Sequence, residues 1–199
     1  MIPVLAHSVE NLTDARYFAS WMVDWISLTA ERGGQEVLNM TSIKEIASWL
    51  DGSQMIVSFD RTPLEEALWF TREAGLGALM LPYQPVGDNI DVDIFFTIDL
   101  DEPNSGEMIN TALRNGAHVV IRASAYNPEV ADRLSDLLPT PFLRKKAFLD
   151  MPLDVDMVRD LDESMPGIGF CLAGSQEEKL GVKSFEDLDE IVETLRPWD

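Results

Sequence analysis

Two histidines, His7 and His118, and one cysteine, Cys171, are the residues here whose ordinary chemistry moves protons or attacks electrophiles near neutral pH. His7 lies just past a short apolar run, Pro3 to Ala6, and could serve as a base or simply bond the backbone of a loop. His118 opens another apolar run, Ala117 to Ile121, and reads as structural. Arg122 closes that run. A guanidinium stays charged, so it is no useful proton donor, but it can hold an anion bidentately or pair with a neighbouring acid. Arg144, Lys145 and Lys146 gather three of only 15 basic residues. They could bind an anion by charge or form a solvated turn paired with surface acids. The Gly174-Ser175 turn could offer backbone N–H groups to an anion. Asp60, Asp99 and Asp101 each follow an apolar run and are candidate carboxylates. Cys171 sits inside an apolar run and reads as a small buried residue. So few histidines and cysteines make a zinc site unexpected, and no cofactor is expected.

The charge balance narrows the partners. There are 35 acidic against 15 basic residues in 199, a formal net charge of −20. Such a surface argues against nucleic acid and against an anionic membrane. The acids are interleaved with apolar residues, which make up 46% of the chain, so a packed core is expected rather than disorder. No apolar stretch approaches the length of a membrane span. The first residues lack the basic and apolar regions of a secretory signal. A soluble cytoplasmic protein, monomer or homodimer, is the expectation.

To position these residues, the chain alternates short apolar runs with amphipathic stretches. Eight strands are expected: Pro3–Ala6, Asp24–Leu28, Gln54–Phe59, Gly77–Leu81, Asp93–Ile98, Ala117–Ile121, one beginning at Pro141–Leu143, and Ile168–Leu172. Helices are expected over about Asn11–Met22, Thr41–Leu50, from Thr62 to about Ala74, Gly106–Asn115, from Asn127-Pro128 to Leu138, Leu153–Leu161 and Ser184–Leu195. Thr62-Pro63 reads as a cap followed by a first-turn proline, and Ser184 with Asp187 as an acidic capping box. Strands alternating with helices every 25 residues or so imply parallel βαβ units. Eight units suit a small (β/α)8 TIM barrel over residues 1–199, with an open doubly wound sheet as the alternative. In the barrel, functional groups belong at the carboxyl ends of the strands. Arg122, the Arg144–Lys146 cluster and Gly174-Ser175 would then converge at the mouth. The five tryptophans fall mainly on helices and would pack there or mark a dimer surface.

Two segments carry a family resemblance. Residues 3–19, PVLAHSVENLTDARYFA, resemble the first strand and helix of phosphoribosylanthranilate isomerase through Asp14-Ala15-Arg16. Residues 170–192, FCLAGSQEEKLGVKSFEDLDEIV, resemble that family's last strand, loop and helix through Glu177 and Gly181-Val182-Lys183. The resemblance implies a barrel that opens a phosphoribosylated arylamine and rearranges it to an aminoketose in tryptophan biosynthesis. The family uses a cysteine after strand one as base, an aspartate after strand six as acid, and glycine-rich loops after strands seven and eight for phosphate. Aligned on Asp14-Ala15, this chain has His7 at the cysteine, Ser8 at the following glycine and Leu5 at the strand-one lysine. Strand six ends Val120-Ile121-Arg122-Ala123-Ser124, without a carboxylate. The strand-four segment reads Met80-Leu81-Pro82-Tyr83. Arg144-Lys145-Lys146 falls at the strand-seven glycines and Gly174-Ser175 at the strand-eight pair. These departures imply a divergent isomerase with lost or altered catalysis, or a non-catalytic barrel that binds a small anion or phosphometabolite or serves interaction.

Overall fold

Apolar runs become the strands of a closed parallel barrel, and the amphipathic stretches between them become its outer helices. The computed structural model describes residues 2–87, 90–173 and 186–196. The barrel strands are β1 (Val4–Val9), β2 (Trp25–Thr29), β5 (Gln54–Ser58), β6 (Ala78–Pro82), β7 (Asp93–Asp99), β8 (His118–Arg122), β9 (Ala147–Asp150) and β10 (Gly169–Ala173). They close in the order β1-β10-β9-β8-β7-β6-β5-β2. A two-stranded antiparallel ribbon, β3 (Glu31–Arg32) and β4 (Gln35–Glu36), follows β2. The helices are α1 (Leu12–Ser20), α2 (Met40–Ser48), α3 (Leu64–Glu73), α4 (Ser105–Arg114), α5 (Pro128–Leu137), α6 (Pro141–Arg144), α7 (Val155–Ser164) and α8 (Glu186–Leu195). None among the described residues is long and apolar enough to cross a membrane.

Local chemistry explains most boundaries. Asn11, Asn39, Asn127 and Asp154 each accept a backbone N–H from the first turn of α1, α2, α5 and α7. Asn39, two residues before the expected start at Thr41, therefore caps α2. Thr62 does not cap α3. Its N–H and hydroxyl instead go to Glu31, at 2.9 and 3.0 Å, and that carboxylate also takes the N–H groups of Asp60 and Arg61. Burial would raise Glu31, but these donors outweigh it and hold the carboxyl below its ordinary value. The ribbon is thereby tied to the loop after β5.

The seventh barrel strand is not where the sequence suggests. Pro141–Arg144 is a short helix, because Thr140 accepts the Leu143 N–H and Pro141 stands in the first turn. The strand is Ala147–Asp150 and begins six residues after Pro141. Arg144, Lys145 and Lys146 consequently precede it and lie at the amino end of the barrel. There Arg144 Nε donates to the Leu138 carbonyl at 2.8 Å, and Lys146 Nζ donates to that of Gly116, just before β8.

Strand parity separates two cores. Leu5, Trp25, Ile56, Phe95, Phe148 and Cys171 point into the barrel with their neighbours, while a larger apolar layer fills the space between sheet and helices. Gly169 is part of this packing, since a Cβ there would lie 2.5 Å from the Phe148 ring. His118 lies flat on Phe95, with ring centroids 4.3 Å apart and planes 9° off parallel. Burial, assisted by Lys146 and opposed by Asp93, lowers its pKa to about 4. It is a neutral plug at the amino end, as its place at the start of a strand suggests.

Candidate active site

Because all eight strands are parallel, their last inward-facing side chains share one mouth. The register fixes who meets whom. Arg122 is the Cα partner of Asp99 on one side and of Asp150 on the other, and His7 is that of Ala173. These residues line a cavity of about 520 Å³ together with Asp101, Ser124 and Cys171.

Asp150 is the hub. Its Oδ1 lies 3.2 Å from His7 Nε2, and its Oδ2 accepts a hydrogen bond from Arg122 Nε, also at 3.2 Å. Burial alone would raise this carboxyl, but the His7 contact and then the Arg122 charge outweigh it and hold it below its ordinary value. Asp150 is therefore ionised at neutral pH and accepts only. His7 Nε2 then carries the proton it shares with Asp150, and Nδ1 is hydrogen-bonded to the Ser8 hydroxyl 3.0 Å away.

Ser8 holds that geometry through its backbone. Between Ala6 and Val9 the pairing of β1 with β2 slips by one residue, and Ser8 takes φ +57°. A bulge of this kind re-aims the neighbouring side chain into the mouth. It falls at the position where the resemblance places a glycine, the residue that adopts this conformation without strain.

Of the residues singled out in the sequence, the structure brings together His7, Arg122, Asp99 and Asp101. Cys171 lies one layer deeper, where burial, with the charge of Asp150, pushes its thiol up. Asp60 is turned away to accept the Gly33 N–H of the ribbon. Arg144, Lys145 and Lys146 are at the opposite end. Gly174, Ser175, Glu177 and the Gly181-Val182-Lys183 segment lie outside the described residues. Asp150 is the residue the sequence reading passed over. Its signal was the apolar run Ala147-Phe148-Leu149 ending in a carboxylate. It places a carboxylate from β9 beside His7, where the candidates read from the sequence were Asp60, Asp99 and Asp101. Among the described residues no cluster of three or more histidine, cysteine or acidic side chains is arranged to hold a metal ion.

A closed (β/α)8 barrel with its ionisable groups gathered at the carboxyl mouth is the class that fold and site define. Solved structures share this fold. TrpF from Jonesia denitrificans superposes with a TM-score of 0.74 at 16% identity, covering 98% of this chain and 97% of that one. The phosphoribosyl anthranilate isomerase from Thermus thermophilus gives 0.72 at 18%, over 98% of both chains. A phosphoribosyl anthranilate isomerase in complex with reduced 1-(o-carboxyphenylamino)-1-deoxyribulose 5-phosphate gives 0.73 at 13%, over the whole of both. The shared barrel runs the full length of the chain. No protein-family model matches the sequence, and no curated protein matches it.

Proposed function

We propose that this chain is a barrel of the phosphoribosylanthranilate isomerase type whose mouth takes a small anionic metabolite and whose ordinary isomerase chemistry is lost or altered. The observation that carries the reading is the unbroken chain Ser8–His7–Asp150–Arg122. The Amadori rearrangement needs an acid to open the sugar ring and a base to take a carbon-bound proton. The resemblance assigns those tasks to the positions of Arg122 and His7. Arg122 cannot give up its proton. Both nitrogens of His7 are engaged, and Asp150 is held ionised, so it is a poor proton donor at neutral pH. A ligand would have to displace Ser8 or Asp150 before His7 could act on it.

What stays open is the outer end of Arg122, whose side chain is 46% exposed at the cavity. That supports binding without turnover as the second reading. The amino-end placement of Arg144–Lys146 leaves them out of it.

The test is turnover of phosphoribosylanthranilate by the purified chain. Loss of an acid and a base each costs on the order of 10²–10⁴ in rate. The expected rate is therefore several orders of magnitude below that of the Thermus thermophilus enzyme measured alongside. A comparable rate would refute the proposal, as would failure of any anionic sugar derivative to raise the melting temperature.

A further inference from the structure

The mouth is not the positive patch that an anion site in so acidic a chain would call for. Its described lining carries one permanent cation, Arg122, against the carboxylates of Asp99, Asp101 and Asp150. Asp101 is partly offset by Arg133, 3.9 Å away. Asp99 has no ion pair among the described residues, and the sheet sets it and Asp150 beside Arg122 as its partners on the two adjacent strands. Asp150 already takes Arg122 Nε. The two terminal nitrogens of the guanidinium remain, and they have no hydrogen-bond or ion-pair partner among the described residues.

We infer that the anionic group this mouth takes on Arg122 is a singly charged carboxylate rather than a doubly charged phosphate, and that Asp150 and Asp99 set the preference. The inference rests on the anion-binding reading above. The two parallel donors at the end of a guanidinium match the two oxygens of a carboxylate. A first negative charge on the ligand meets the open end of Arg122, whose charge Asp150 already shares. A second has no described cation to meet and two fixed carboxylates to oppose it. At roughly 6 Å and an effective dielectric near 40, one such repulsion changes affinity about tenfold. The net charge of −20 acts in the same direction at longer range. A cavity of about 520 Å³ has room for a sugar acid.

Calorimetry on the full chain, with D-ribonate and D-ribitol 5-phosphate at pH 8 and one ionic strength, tests this. Both probes are open five-carbon chains that differ in the anionic group. Ribonate should bind about tenfold or more tighter. Asp150→Asn should strengthen ribitol 5-phosphate by about tenfold and ribonate by less, closing the gap. Asp99→Asn, on an exposed carboxylate, should do the same and keeps the test decisive if Asp150→Asn fails to fold. Arg122→Ala should abolish ribonate binding. Tighter binding of the phosphate by the wild type overturns the inference and leaves anion binding standing. A preference unmoved by both asparagine variants does likewise. If neither probe binds, the anion-binding reading falls and takes the preference with it.

Discussion

Ser8 Oγ stands 3.0 Å from His7 Nδ1, and the same serine holds a left-handed backbone at φ +57°. One residue thus fixes both the direction of the imidazole and the bulge that turns it inward. A non-glycine residue in this region is strained by about 1 kcal/mol. Ser8→Gly should therefore change stability by less than about 1 kcal/mol, since relief of strain offsets the added freedom of the unfolded chain. Ser8→Val should cost about 2 kcal/mol or more, because a β-branched side chain tolerates this conformation poorly. Urea denaturation of the two variants checks the order. Equal stability of the valine and glycine variants would exclude strain at this bulge.

Arg196 clamps the last helix to the start of the barrel. Its guanidinium is buried, pairs with Asp24 and donates to the Ile2 carbonyl. Asp24 Oδ2 in turn accepts the Val4 N–H at 2.8 Å. Removing the arginine leaves the Ile2 carbonyl without this donor and Asp24 with the Val4 N–H but no cation. Arg196→Ala should cost about 3 kcal/mol, at the lower end for a broken buried pair because Asp24 is partly exposed. Denaturant unfolding gives the value, and a loss below about 1 kcal/mol would reduce the contact to a surface pair.

The eight strands and their parallel order were legible because each apolar run is short and each is separated by a helical period. The site was legible only at its edges. Arg122 ends β8 one residue past the expected limit, whereas His7 lies inside β1, which runs on to Val9 through the bulge rather than ending at Ala6. Asp150 ends a strand displaced by Pro141-Phe142-Leu143, a stretch apolar enough to read as strand but started as a helix by Thr140 and Pro141. That single slip hid the acid of the site and moved three basic residues to the wrong end of the barrel. Strands of two residues have no period, so the β3–β4 ribbon left no trace. Thr62 looked like a cap because its true partner, Glu31, comes from the separate β3–β4 ribbon. The Thr62 misreading lies where a distant segment supplies the partner, whereas at Pro141 a local helix start is masked by an apolar run.

His118 makes stability depend on pH. Its folded pKa of about 4 lies below the unfolded value of 6.5, so the unfolded chain binds the extra proton in between. The contribution is complete above pH 6.5 and is lost as pH falls toward 4. The gap between these values corresponds to about 3 kcal/mol. Unfolding free energies of wild type and His118→Phe, compared at pH 7.5 and 4.5, isolate it. The phenylalanine can keep the stack on Phe95 and has no proton to gain. The wild type should lose more stability than the variant on acidification, and parallel losses would show that the ring is already protonated in the fold.

Gly169 is the point where the barrel interior is tightest. Its inward face lies against the Phe148 ring, and a Cβ would meet that ring's Cδ1 at 2.5 Å. The two residues are Cα partners on adjacent strands, so neither backbone can withdraw without breaking the sheet. The ring cannot turn freely either, since it packs near Phe95 and His118, with centroids 5.8 and 6.2 Å away. Gly169→Ala should therefore destabilise by about 1–3 kcal/mol, although alanine ordinarily favours a strand over glycine. Phe148→Leu alone should also destabilise, by loss of buried ring surface. In the double variant the smaller side chain leaves room for the new methyl, so the two losses should combine to less than their sum by about 1 kcal/mol or more. Denaturant unfolding of the four proteins closes the cycle. Additive losses would mean that the alanine acts through the backbone and that the ring does not set the size of residue 169.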